Sequence, residues 1–192
     1  TFRRARRDAS GAWHNRTLSP ATLGPRAHAG VTRTREGTWL SFIDWNFKTQ
    51  ELVLAEPLGE QFATTRLPLG DDAGFAAGIF VDAGEPRVLY IRRGALHLAK
   101  RTKDGWTSER LMKRVGAFDV AQATNGELSI AVQDQSPSSS RLVLLRRTLL
   151  GGWQRFLVDG EGPVADHLSV TLDERGKTTI AYHAQAIRGL KL

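Results

Sequence analysis

Apolar and polar residues alternate with a period of two, in short runs, along nearly the whole chain. Leu168, Val170 and Leu172 form one such run, and Ile180 and Tyr182 continue the pattern after a turn. A period of two puts successive side chains on opposite faces of a strand. No segment carries a convincing 3.6-residue stripe, so strands are expected and helices are not. Glycines punctuate the runs at Gly37, Gly84, Gly126 and Gly176, each ahead of a strand and spaced by roughly 47 residues. A second marker recurs at nearly the same interval. Trp13, Phe62, Trp106 and Trp153 each open a segment that ends in leucine, at Leu18, Leu67, Leu111 and Leu157.

One repeat is visible in full over residues 74–111. Its first strand, residues 75–81, turns through Asp82-Ala83-Gly84-Glu85-Pro86 into a second, residues 87–91. A third, residues 96–101, leads through Asp104-Gly105 to a fourth that starts at Trp106. A unit of four short strands buries its two faces only by stacking on neighbours, which is how the blade of a β-propeller behaves. The fold class expected is therefore all-β, a β-propeller of four-stranded antiparallel blades. Residues 27–67, 74–111 and 118–158 read as full blades, and residues 1–18 and 167–192 as partial ones. Three full and two partial blades make a partial ring. An uncovered edge strand invites aggregation, so another polypeptide is expected to complete it, either the remainder of the same precursor or a homologous chain. Because the chain opens at Thr1 and stops within a strand, an excerpt or processed product is expected, with any signal peptide already removed.

The segments Gly84-Glu85-Pro86-Arg87-Val88-Leu89-Tyr90, Leu96-His97-Leu98-Ala99-Lys100-Arg101 and Gly105-Trp106 resemble the repeats of secreted or envelope bacterial β-propellers. That resemblance runs along nearly all the chain, and it implies a blade scaffold and an extracellular or envelope address without naming an activity. The turn Asp8-Ala9-Ser10-Gly11-Ala12-Trp13 is loosely similar to the Asp-box of sialidase-like propellers. An Asp-box closes a hairpin, so it implies no glycoside hydrolysis.

Composition narrows the chemistry. At 41% hydrophobic and 24% charged, the chain falls in the ordinary globular range, so disorder is not the default. It has no cysteine, which removes disulfides, zinc-thiolate sites and cysteine nucleophiles together. The net charge of +7 suits a polyanion such as nucleic acid or an anionic glycan, although an arginine-rich bias is equally what a GC-rich bacterial genome produces.

Hairpin register singles out a candidate ligand site. With the last turn centred on Arg175, His167 stands opposite His183; a shift by the repeat length puts His28 opposite Asp44, Phe75 opposite Ile91, and Ala117 opposite Gln133. Directly opposed residues have Cβ atoms about 5 Å apart. His28, Asp44, Gln133, His167 and His183, with Trp45 as a stacking surface and Asp119, Asp134 and Asp166 nearby, form a polar rim on the side of the long inter-blade connections. The competing reading is hydrogen-bonded rim residues. Only pairs converge where a metal wants three or four ligands, so no metal and no cofactor is expected. On the opposite rim, Arg6-Arg7, Lys100-Arg101 and Arg146-Arg147 precede their tryptophans, either as a belt for a polyanion or as solvated charge. Trp13, Trp106 and Trp153 are expected to plug between sheets. Tyr90 and Tyr182 should be core, and Ser136-Pro137-Ser138-Ser139-Ser140 a loop. Trp39 follows the repeat less strictly.

No nucleophile elbow, phosphate loop, paired-histidine helix or calcium loop is present. The leading expectation is a non-enzymatic binding or scaffolding module, with no catalytic residue named. Its alternatives are a glycan-active enzyme, hydrolase or lyase-like, and a polyanion-binding module using the basic rim.

Overall fold

The computed structural model describes residues 2–19, 29–45, 49–59, 61–70, 77–135, 140–148, 151–184 and 189–192. Every regular element among them is a strand, and the sheets are antiparallel blades of a β-propeller. A hairpin of β1 (Phe2–Arg7) and β2 (Trp13–Ser19) comes first. Blade I holds β3 (Gly30–Arg33), β4 (Thr38–Trp45), β5 (Gln50–Leu58) and β6 (Gln61–Arg66). Blade II holds β7 (Ala77–Asp82), β8 (Glu85–Arg92), β9 (Ala95–Thr102) and β10 (Gly105–Lys113). Blade III holds β11 (Val115–Gln122), β12 (Leu128–Gln135), β13 (Ser140–Arg147) and β14 (Trp153–Asp159). Blade IV holds β15 (Val164–Leu172), β16 (Thr178–Ala184) and β17 (Gly189–Lys191). Strands pair in chain order within each sheet, as a meander of hairpins does.

The first strands of blades I to IV lie next to one another, β3 by β7, β7 by β11 and β11 by β15. Glycine sets how near they come. A Cβ on Gly30 would sit 2.7 Å from the Cα of Gly78, so any side chain there would push blade I off blade II.

Alternation has a specific meaning in this arrangement, because blades I, II and III are covered on both faces. In β4, Trp39 and Ile43 point into a core shared with blade II, whereas Leu40 and Phe42 point into a second core on the other face. In β12, Ile130 and Val132 meet blade II while Ala131 meets blade IV. Full burial of each such aliphatic side chain contributes about 1.5–3 kcal/mol. Trp106 packs into the core between blades I and II, and Trp153 into the core between II and III. Trp13 departs from the expectation: it is 65% exposed and joins none of the cores among the described residues. Tyr90 and Tyr182 are buried, as the alternation requires. The Tyr90 hydroxyl lies 2.8 Å from Ser108 Oγ, and its ring stacks on His97. Of the predicted serine loop, residues 136–139 lie outside the described residues, and Ser140 is not loop but the first residue of β13. Among the described residues, no helix is long and apolar enough to cross a membrane.

Candidate functional site

In a four-stranded meander, the start of the first strand, the end of the second, the start of the third and the end of the fourth all lie at one end of the blade. Of the polar residues singled out in the sequence, Asp44, Gln133, Asp134, His167 and His183 fall at that end. Their register, however, differs from the expectation in an informative way.

In blade IV the ladder Leu168↔Tyr182 to Leu172↔Thr178 is symmetric about Arg175. It does not extend to His167, because an irregularity between Val164 and Leu168 resets the pairing to Val164↔Ala184. His183 pairs instead with Leu190 of β17. His167 is exposed and His183 half-buried. Blade III is also irregular, between Val115 and Phe118, and this takes Ala117 out of its expected pairing with Gln133. His28 lies outside the described residues, as do the side chains of Trp45 and Asp166.

Facing gives a clearer equivalence. Ile43 pairs with Leu52, Ile91 with Leu96, Gln133 with Leu142 and His183 with Leu190. Asp44 stands one residue beyond that set, and a one-residue step turns a side chain to the other face of a sheet. Its true counterpart is Asp134. Both do the same thing: Asp44 Oδ2 accepts from Arg66 Nη2 at 3.2 Å, and Asp134 Oδ2 from Arg155 Nη2 at 2.5 Å. In each blade a second-strand carboxylate takes a fourth-strand guanidinium across the strand between them. The signal was present in the sequence as an acid closing a core strand, in Phe42-Ile43-Asp44 and Val132-Gln133-Asp134, with an arginine in the next-but-one strand.

The two sites differ at one position. Asp134 pairs in register with Arg141, whereas Asp44 pairs with Glu51, and Arg66 Nε also binds Glu51 Oε2 at 2.8 Å. Blade I therefore holds two carboxylates on adjacent strands, bridged by one guanidinium. Their surroundings are unequal. The Asp44 side chain is 12% exposed and that of Glu51 34%.

Gln133 donates from Nε2 to the Val164 carbonyl at 2.5 Å, and its buried Oε1 makes no hydrogen bond. Ser140 Oγ binds both N–H and C=O of Val164, so these two residues fix the start of blade IV. Asp119 accepts from the Val170 N–H at 2.9 Å and serves the same junction. A third carboxylate, Asp159 at the end of β14, accepts from the Tyr182 hydroxyl at 2.6 Å and from Lys191 Nζ at 2.9 Å. The tyrosine hydroxyl, then the lysine, hold its pKa down to about 2. Burial and this carboxylate push Tyr182 up, so it stays a phenol. Among the described residues, no three histidine or acidic side chains gather as a metal site would require.

The basic residues of the opposite rim mostly meet protein groups. Arg147 Nη1 lies 2.7 Å from Asp82 of blade II, Arg101 pairs with Glu56 of blade I and covers Trp106, and Lys100 pairs with Glu109. Arg146 donates to Thr178 of blade IV, and Arg7 to the Gly11 carbonyl. Burial raises the Asp82 pKa, but Arg147 and Arg87 outweigh it and hold the group below its ordinary value. The side chain of Arg6 lies outside the described residues. In the turn after β1, Asp8 accepts from the N–H groups of Ser10 and Ala12 and from Ser10 Oγ, which closes the hairpin as a structural turn would.

No family model matches the chain, and no curated protein matches it, so neither resemblance noted in the sequence acquires support from that side. Solved structures do match. One, from Bacteroides uniformis and provisionally named a 6-phosphogluconolactonase, is 14% identical, with a TM-score of 0.52 over 91% of this chain and 54% of that one. The chain thus spans about half the length of that protein. Another, a protein from Lactobacillus plantarum, is 12% identical over 98% of this chain and 75% of that one, with a TM-score of 0.41. The first of these likenesses supports the propeller fold. The expectation of a non-enzymatic binding or scaffolding module is corrected by the first neighbour alone, whose lactonase name agrees better with the enzyme alternative.

Proposed function

We propose that the chain is a hydrolase acting on a small sugar derivative, a glycoside or a sugar lactone, at the open end of blade I. The observation that carries this reading is the Asp44–Glu51 pair bridged by Arg66. Glycoside hydrolysis uses two carboxyl groups set close together in unequal environments, one to move a proton and the other to activate water or stabilise positive charge, and opening of a sugar lactone can use one of them as the base that activates water, with a guanidinium facing the oxyanion. Glu51, the more exposed, is suited to exchange protons with the substrate. Asp44, its side chain 12% exposed, is held against the guanidinium. Arg66 is the positioning residue that holds both. The neighbour's lactonase name supports the sugar-lactone half of this reading.

An ion pair alone would be the bland explanation, and blade III supplies the control, because Asp134–Arg155 repeats the pair without a second carboxylate. Aryl glycosides and sugar δ-lactones are the substrates to assay. Glu51→Gln should lower kcat by about 10²–10⁴-fold, the usual worth of a positioned acid or base, with little change in urea midpoint. Asp134→Asn should leave kcat within a few-fold. Turnover no faster than buffer on both substrate classes would sink the proposal, as would equal kcat in wild type and Glu51→Gln.

A further inference from the structure

Blade IV and the β1–β2 hairpin carry two surfaces that are covered everywhere else in the molecule. On blades I, II and III the third strand presents two leucines to the following blade: Leu52 and Leu54, Leu96 and Leu98, Leu142 and Leu144, none more than 9% exposed. In blade IV, Leu190 occupies the place of Leu52, Leu96 and Leu142 by register, and the next same-face residue is Leu192. Leu190 is 70% exposed and Leu192 88%. The hairpin shows the converse. Arg101 stands opposite Trp106 and Arg147 opposite Trp153, and both tryptophans pack against the preceding blade. Arg7 stands opposite Trp13 in the same way, yet Trp13 is 65% exposed.

Charge complements shape. Arg147 binds Asp82, which ends the first strand of the blade before it. Counting from the pairs Ala77↔Tyr90 and Leu168↔Tyr182, the residue of blade IV at the Asp82 position is Asp173. Asp173 is exposed and engages its own turn through Oδ1. Blade IV thus offers two leucines and a carboxylate, and the hairpin offers a tryptophan and an arginine. These are the two halves of the contact that joins blade II to blade III.

We propose that two copies of this chain associate head to tail, with blade IV of each receiving the β1–β2 hairpin of the other. The contact is heterologous, since different surfaces meet, and two such contacts close a two-copy ring. A second copy is favoured over other occupants because it carries both halves with matched charge. The proposal is independent of the hydrolase reading.

Sedimentation equilibrium over micromolar concentrations tests it. Wild type should show twice the chain mass of 21.2 kDa. Trp13→Glu and Leu190→Arg change exposed positions, so far-UV circular dichroism should be unaltered, and each alone should be monomeric. Mixed, they should form a 1:1 dimer, because Trp13→Glu keeps an intact blade IV face and Leu190→Arg keeps an intact hairpin. Arg7→Glu should raise the wild-type Kd by tenfold or more. A monomeric wild type, a wild type that grows beyond two copies, single variants that still dimerise, or a mixture that stays monomeric would each overturn the proposal. Loss of hydrolase activity in Glu51→Gln bears on none of these outcomes.

Discussion

Single side chains decide how this molecule responds to acid. Asp159 has a pKa of about 2 in the fold against an ordinary 3.8, because the Tyr182 hydroxyl and then Lys191 favour its ionised form. A carboxyl depressed by folding adds stability above its unfolded value, and that stability is lost as pH falls from about 4 through about 2. Urea midpoints at pH 5 and pH 2.5 should therefore differ more for wild type than for Asp159→Asn. Asp8, also near 2, contributes to both proteins and cancels in the comparison. Equal differences would show that Asp159 is not coupled to folding. Tyr182→Phe removes the largest of the causes and should raise the Asp159 pKa towards 3.8 when followed by carboxyl NMR. That Tyr182 would be core was legible from alternation alone. Its partner was not, since Asp159 comes from the preceding blade and no local pattern announces a contact across blades.

At the scale of elements, turn length governs what the sequence could reveal. The shift by repeat length that placed Asp44 opposite His28 assumes equal first hairpins in every blade. Those hairpins in fact close at Arg33↔Thr38, Asp82↔Glu85, Gln122↔Leu128 and Leu172↔Thr178, so the turns enclose different numbers of residues. Blade IV, from which the register was read, came out correctly around Arg175. Blade I slipped by one residue, and that moved Asp44 to the other face. The basic pairs show the same limit: their recurrence opposite tryptophan was visible, but the acids that meet them belong to neighbouring blades. As ties between blades, Arg101 and Arg147 should matter more for stability than for polyanion retention. Arg147→Gln should lower stability by no more than about 1 kcal/mol, as expected of a part-exposed pair, and leave salt-dependent elution from heparin nearly unchanged. A large shift to lower salt would reverse that assignment. Gly30→Ala is the harsher change, because its Cβ meets backbone rather than a movable side chain. Overpacking of this kind costs about 1–3 kcal/mol, to be read from the urea midpoint.

For the molecule as a whole, the propeller was legible because short strands of period two recur between glycine and aromatic markers at a nearly constant interval, whereas burial on both faces blurs the alternation into apolar runs such as Ile130-Ala131-Val132. The candidate site was less so, since it depends on which residues of separate strands share an end. Shared cores also imply shared unfolding. Blade II contributes Leu96, wholly buried, to the core it makes with blade III, while Val88 and Tyr90 of the same blade enter the core with blade I. Blades stabilised mainly by their neighbours lose structure together when the interface terms dominate. Leu96→Ala should cost about 2–5 kcal/mol through lost burial and the cavity left behind. Its effect should not stay local. Trp39 and Trp106 report from the core between blades I and II and Trp153 from the core between II and III, so tryptophan fluorescence and far-UV circular dichroism should shift to the same lower urea midpoint. Two separated transitions in Leu96→Ala would mean that the blades unfold as independent units, and that the contacts between them contribute less than the strands within each.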